Sequence, residues 1–516
     1  MNLNTASKLT KNEWMILGGF ALLKILLHSI STLFFEYGFF RDELYYIACS
    51  DNLALGYVDQ PPLSIFLLKL SSLLFGDSLI AIRILPSLAG AFTILFTGLL
   101  AKRMGGSTYA VFLSCLASFC SLIFVGMNSY YSMNSIDILI WVCVAYIMVR
   151  IVQERKSWLW IFLGIILGLG LLNKIGILFL GCGILAGLLL TSERHWLKTK
   201  WPYLTGGIAF LLFLPYIFWN INNDLAHIEF IRNASEEKYS SLTAFKFIID
   251  QFLINNPLNF PLWIVGLLGF LFYKPLKPYR IFGFIYLTAL FILAINGTSK
   301  AEYLAPAYPM LFAGGAVFFE KTLHSKVLYW LRFAYPLLII ATTLILLPLV
   351  LPILPVDHFI SYSEKLGLKP ESNEGKELSE LPQFYADRFG WEEKARDVAK
   401  VYNSLSTEEK TKCAIFSNNY GRCGAIDYFG EKYELPKSIG NHNNYWIWGT
   451  RGYSGEIMII LGGSLEDHKP NFESVVLAGK SDCEFCMPYE DNVNIFLCRG
   501  INEPLKEIWP EEKHYE

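Results

Sequence analysis

Charge is what this sequence has least of. Only 17% of its 516 residues are Asp, Glu, Lys or Arg, while 53% are hydrophobic and 16% aromatic. Soluble domains average about 25% charged residues, so an ordinary soluble protein of this size is excluded. The formal net charge of -2 gives no reason to expect nucleic acid as a partner. No small-residue cleavage site follows the first apolar run, which therefore reads as a retained helix and not as a leader. Internal repeats of the kind that build transporters are also missing. Cys483-x-x-Cys486 has no second Cys pair or His pair at matching spacing, so a zinc knuckle there would be short of ligands.

What the chain does have is long apolar runs, confined to residues 1–355. The pattern predicts about 11 membrane spans of roughly 17–25 residues, near 14–35, 80–101, 109–127, 135–150, 158–172, 175–191, 201–219, 258–273, 280–296, 304–320 and 329–353. Alternate loops carry Lys102-Arg103, then Arg150, Arg155 and Lys156, then Arg194, Lys198 and Lys200, then Lys274, Lys277 and Arg280, then Lys321 and Lys326. That is a positive-inside pattern with the N-terminus in the cytoplasm. An odd number of spans puts residues 356–516 outside, where the composition turns water-compatible. There a small α/β domain is predicted: a helix over 391–405, strands at 413–416 and 457–461, a helix over 424–429, and a strand ending at 497. Segment 363–382 reads as a linker.

The remaining loops all fall on the outer face. The loop 36–79 is long, and long loops carry function. Its residues 63–75 read as an amphipathic helix lying in the interface, and 245–253 as a second surface helix. Carboxylates gather on this face. Asp42 and Glu43 follow Arg41 at the mouth of the first span, Asp59 precedes Gln60-Pro61-Pro62, and Asp137 stands near the outer end of the fourth span. Acids at a membrane boundary mark a functional site by default. Asp42 suits a general base, with a helix cap as the plain alternative; Glu43 would orient it or meet solvent. Asp59 is compatible with a divalent metal ion, a substrate hydroxyl, or a cap on the 63–75 helix. Asp137 is open between capping and catalysis.

Cations sit on the same face against the positive-inside tendency: Lys174, Lys300 and Arg83. A lipid phosphate at headgroup depth would pair with them; snorkelling would explain any one alone. Tyr303 can donate to the same phosphate or belong to the interfacial aromatic belt. Lys24, inside the first span, has no evident partner. Among the cysteines outside, Cys413 with Cys423, and Cys498 with Cys483 or Cys486, are plausible disulfides in an oxidising compartment.

Phe40-Arg41-Asp42-Glu43, Tyr57-Val58-Asp59-Gln60-Pro61-Pro62-Leu63, Arg83-Ile84-Leu85-Pro86-Ser87 and Lys300-Ala301-Glu302-Tyr303 with Pro306 and Tyr308-Pro309 resemble glycosyltransferase family 39. This group contains dolichyl-phosphate-mannose protein mannosyltransferases and the bacterial aminoarabinose transferase of lipid A. Asp387-Arg388-Phe389-Gly390-Trp391, Asn419-Tyr420-Gly421 and Tyr445-Trp446-Ile447-Trp448-Gly449 look like its bacterial branch. The resemblance implies a C-type membrane glycosyltransferase in the bacterial inner membrane. It would pass a sugar with inversion from a polyprenyl-phosphate donor to a glycolipid, polymer or protein on the extracytoplasmic side. Asp42 then matches the family's first-loop acid, Asp137 a second acid, and Lys174 and Tyr303 groups near the donor phosphate, with Lys300 and Arg83 beside them. One departure stands out: where the aminoarabinose transferase has Glu-Lys-Pro-Pro, this chain has Asp59-Gln60-Pro61-Pro62, keeping the acid and losing the lysine. A non-enzymatic transporter or lipid flippase is the rival class; its charges would lie mid-membrane, whereas these acids lie in loops.

Overall fold

Thr10 and Glu13 open the first helix by exchanging side-chain and backbone hydrogen bonds at its N-terminus, a capping box that satisfies two otherwise unpaired donors. The helix, Lys11–Phe34, turns Trp14, Leu22, Leu23 and Leu33 outward, as a lipid-facing helix must. The computed structural model describes residues 8–237, 243–297, 299–323, 328–370 and 376–516. All eleven expected apolar segments contain a helix. By length and composition, six described helices can cross a membrane, and two bent pairs bring the number to eight. The other three segments are shorter or broken. Thr108–Phe119 is interrupted before Leu122–Met127, and Leu159–Asn173 and Tyr308–Thr322 have 15 residues each. At about 1.5 Å per residue such a helix falls short of a hydrocarbon core of about 30 Å. Tyr308–Thr322 is almost wholly buried among other helices, so it needs no lipid-matched length.

The bundle core runs through Trp141, Trp160, Trp263, Phe270 and Tyr308. Lys24 is fully buried and donates to the Phe124 carbonyl, at the short helix Leu122–Met127. The partner missing from the sequence reading is thus a backbone group in a helix break, which no residue pattern announces.

The loop after the first helix folds into two helices, Arg41–Asp51 and Leu63–Phe75. The second matches expectation; the first was not anticipated, because its polar N-terminus hides it. The helix Ala244–Leu253 also forms where expected, and Ala226–Glu237 is an additional one.

Beyond residue 355 a helix spans Val356–Lys365, and another spans Trp391–Asn403. Part of the expected linker, residues 371–375, lies outside the described residues. A five-stranded sheet has the order β2-β1-β3-β5-β4, with β1 Cys413–Ser417, β2 Ile439–Gly440, β3 Ile457–Leu461, β4 Phe472–Ser481 and β5 Val493–Ile501. β2, β1 and β3 are parallel; β5 runs antiparallel to β3, and β4 antiparallel to β5. The sequence hid β4 because it is a largely exposed edge strand of mixed polarity. The expected disulfides do not form: all ten cysteines are free. The Cys423 thiol lies against the Ser417 and Ile439 carbonyls, and the Cys413 thiol against that of Ala414.

The C-terminal domain docks on the loop after the first helix. Helix Tyr420–Phe429 packs on helix Arg41–Asp51 closely enough that a Cβ on Gly424 would lie 2.9 Å from the Leu44 carbonyl carbon. The Arg41 backbone N–H donates to the Asp387 carbonyl at 2.9 Å. The Arg388 guanidinium, 2% exposed, donates to the Ser129 hydroxyl and lies over the Phe40 and Phe384 rings.

Candidate active site

A cavity of about 730 Å³ lies between the helix bundle and the C-terminal domain. Asp42, Asp59, Asp137, Lys174, Lys300 and Tyr303 all line it. These six candidates come from five separate loops or helix ends, so only the fold brings them together.

Asp42 stands in the first turn of helix Arg41–Asp51, where the helix dipole favours a negative charge. Its side chain is one-third exposed. Oδ1 accepts from the Tyr420 hydroxyl at 2.9 Å and from Arg41 Nε at 3.4 Å. Both partners hold the same oxygen, which leaves Oδ2 for a substrate proton. Arg41 also lies 5.4 Å over the Tyr420 ring and 3.7 Å from the Asp387 carboxylate.

Glu43, one residue on, points the other way, because adjacent helix positions are about 100° apart. It is fully buried. Oε1 accepts from Arg83 Nε at 3.0 Å and the Tyr131 N–H at 2.8 Å; Oε2 accepts from Arg83 Nη2 at 2.7 Å and the Phe40 N–H at 2.8 Å. Arg83 spends its remaining reach on the Gly38 carbonyl. Neither residue lines the cavity. The expectations for Glu43 as a catalytic group and Arg83 as a phosphate ligand are therefore corrected: the two neutralise each other in a buried pair that ties the first loop to helix Leu79–Arg103 and to the Tyr131 turn.

Asp59 accepts from the Tyr45 hydroxyl at 3.0 Å. Burial and this carboxylate raise the Tyr45 phenol well above its ordinary range, so it stays a donor. The strand-like turn before Asp59 is pinned on both sides. The Val58 N–H donates to Asn444 Oδ1 at 2.8 Å, and the His227 ring lies 2.8 Å from the Val58 carbonyl. A carbonyl only accepts, so His227 Nδ1 carries the proton. Burial lowers His227 to about 4, with the Val58 bond opposing, so the ring is neutral at physiological pH. Among the described residues no three His, Cys, Asp or Glu side chains converge as a metal site.

Lys174 sits in the break between helices Leu159–Asn173 and Ile177–Leu190. It donates to Asn134 Oδ1 at 2.7 Å and lies 5.0 Å over the Tyr303 ring. Asp137 is buried one turn further along the Asn134 helix, interacts electrostatically with Lys174, and has one carboxylate oxygen without a hydrogen-bond partner. Lys300 and Tyr303 enter from the turn Ala301–Ala307. Tyr420, Tyr45, Asn134 and His227 were not singled out from sequence as site residues. Tyr420 lay in the Asn419-Tyr420-Gly421 motif, the one signal that could have flagged it.

Residues 59–219 match the family described as dolichyl-phosphate-mannose-protein mannosyltransferase. The lipid A galacturonosyltransferase RgtD of Rhizobium johnstonii is 26% identical over 258 residues, 49% of this chain and 53% of that protein. The chain thus spans about half the length of the curated relatives it matches. Among solved structures, ArnT from Cupriavidus metallidurans bound to undecaprenyl phosphate superposes with a TM-score of 0.62 at 12% identity, covering 95% of this chain and 98% of that one. The archaeal oligosaccharyltransferase AglB from Archaeoglobus fulgidus gives 0.50 at 11% identity, covering 83% and 65%. The chain thus shares the fold of ArnT over nearly its whole length and, over residues 59–219, is similar in sequence to the dolichyl-phosphate-mannose-protein mannosyltransferase family.

Proposed function

We propose that this protein transfers a sugar from a polyprenyl-phosphate donor to an acceptor at the cavity beneath its C-terminal domain. The acceptor class that the RgtD likeness favours is a membrane glycolipid such as lipid A; the ArnT likeness favours an undecaprenyl-type donor. The observation that carries the reading is that one cavity gathers two chemistries. The Asp42 carboxylate, held on one oxygen by Tyr420, shares its lining with Lys174, Lys300 and Tyr303.

The steps follow from those groups. The polyprenyl phosphate is the leaving group, and Lys174 and Lys300 neutralise its charge as the bond from the anomeric carbon to the phosphate oxygen breaks. Asp42 Oδ2 takes the proton from the acceptor hydroxyl while the acceptor oxygen bonds to the opposite face of that carbon, so the configuration inverts. Asp137 positions Lys174 by its charge, and Asp59 accepts from a sugar hydroxyl. Residues 1–355 form the membrane part and 356–516 the second domain. We place the chain in the bacterial inner membrane, with the cavity and C-terminal domain on the extracytoplasmic side, as the distribution of basic loops supports.

The test is reconstitution of purified protein in liposomes with an undecaprenyl-phosphate-linked sugar and lipid A. Free undecaprenyl phosphate and glycosylated lipid A should appear together. If neither forms with any of the pentose, hexose or uronic acid donors, the proposal falls.

A further inference from the structure

A second cavity, about 530 Å³, lies in the C-terminal domain behind Tyr420. Its position follows from the sheet. β1, β2 and β3 are parallel, and β1 sends the chain to β2 on one side while β3 pairs on the other. In such sheets the carboxyl ends of the strands at the reversal open a crevice where ligands bind. The lining residues come from those ends: Asn418 after β1, His442 after β2, Gly462 and Gly463 after β3, and Asn494 at the facing start of β5. Gly462 and Gly463 have φ of 100° and 75°, and a Cβ on Gly462 would stand 2.6 Å from Arg422 Nη1. Glycine there keeps the crevice open while Arg422 closes its floor against Glu490.

The lining is rich in asparagine amides, each able to donate and accept at once, and its charges are mostly answered within the protein. Arg422 is paired with Glu490 and Arg41 with Asp42 and Asp387, and the His514 ring lies at hydrogen-bond distance from the Glu516 carboxylate. Such a surface suits the paired donor and acceptor groups of sugar hydroxyls better than a bare anion. The two cavities share a wall: Arg41, Tyr420 and Glu516 line both. Tyr420 faces the second cavity and donates to Asp42 in the first.

We propose that this crevice is a carbohydrate subsite that holds the saccharide part of the acceptor, so that its reactive hydroxyl reaches Asp42 past Tyr420. Its role as an acceptor site rests on the transfer reaction proposed above; its binding of saccharide does not. Specificity for the acceptor would then reside in the C-terminal domain and donor binding in the bundle.

The test uses full-length protein in lipid nanodiscs and a water-soluble probe, lipid A stripped of its acyl chains. Saturation-transfer NMR should show the saccharide bound to the wild type and to Asp42→Asn. Asn418→Trp, a substitution at an exposed loop position that fills the crevice, should lose the signal at unchanged thermal stability. In the liposome assay the same variant should raise the KM for lipid A at least tenfold and leave the KM for the donor unchanged. Equal binding by Asn418→Trp, or no binding by the wild type, overturns the subsite. Binding that is lost in Asn418→Trp, from a wild type that transfers no sugar, would sustain the subsite and remove the transfer reaction instead.

Discussion

Glu43→Gln separates stability from chemistry at neighbouring residues. Each oxygen of the Glu43 carboxylate accepts one bond from Arg83 and one from a backbone N–H. A glutamine can present oxygen to only one of those donor pairs. Whichever way the amide turns, its NH₂ faces an Arg83 nitrogen and a backbone N–H, and Arg83, 3% exposed, is left as an uncompensated buried charge. Breaking one side of a buried ion pair costs about 3–5 kcal/mol. Taking an unfolding entropy of about 2.1 cal/mol/K per residue over 516 residues, the melting midpoint should fall by roughly 3–5 °C if the chain melts as one unit. Tryptophan fluorescence or light scattering on protein in detergent reads this directly. Below the new midpoint, transfer per folded molecule should stay within a fewfold of the wild type. A variant with wild-type melting and no transfer would refute the assignment and return Glu43 to the catalytic set.

Three other outcomes are expected. Lys174→Ala should raise the KM for the polyprenyl-phosphate donor at least tenfold with the acceptor KM unchanged, measured by steady-state transfer; an unchanged donor KM removes Lys174 from the phosphate side. Gly424→Val should loosen the C-terminal domain, because the added atoms meet the Leu44 backbone, which cannot move aside. Overpacking of this kind costs about 1–3 kcal/mol; limited proteolysis should cut between residues 366 and 382 faster, and equal rates would contradict the close packing. His227, lowered to about 4 by burial from an ordinary value of about 6.5, binds its proton more readily unfolded than folded. Its contribution is therefore complete above pH 6.5 and is lost as pH falls toward 4, about 2 kcal/mol by pH 5. Hydrogen exchange over 226–237 should rise between pH 7 and 5, after correction for the intrinsic rate, and His227→Gln should flatten that dependence.

The bundle was legible because long apolar runs and basic loops are strong, local signals. That Asp42, Lys174 and Lys300 share one outward face, and so could meet in one cavity, was legible for a related reason: charge at the edge of an apolar segment is costly and therefore conspicuous. What stayed hidden depends on tertiary contact. Nothing in Arg83's neighbourhood along the chain announces that Glu43, 40 residues away, takes up its charge. Tyr420 reaches Asp42 across 378 residues, through a docking surface set by Gly424. Helix lengths were hidden for the same reason, since helices enclosed by others, such as Tyr308–Thr322, need not match the bilayer. The second cavity could not be read because it is made by three strand ends, of which one, β2, has only two residues.

The most direct measurement is sugar transfer by Asp42→Asn in liposomes, with the folded amount matched to wild type. Asparagine keeps the shape, and its amide oxygen can still accept from Tyr420, but it cannot take the acceptor's proton. General-base catalysis contributes about 10²–10⁴-fold, so transfer should drop by that factor while donor binding and melting stay at wild-type values. Transfer by Asp42→Asn at the wild-type rate would contradict the account.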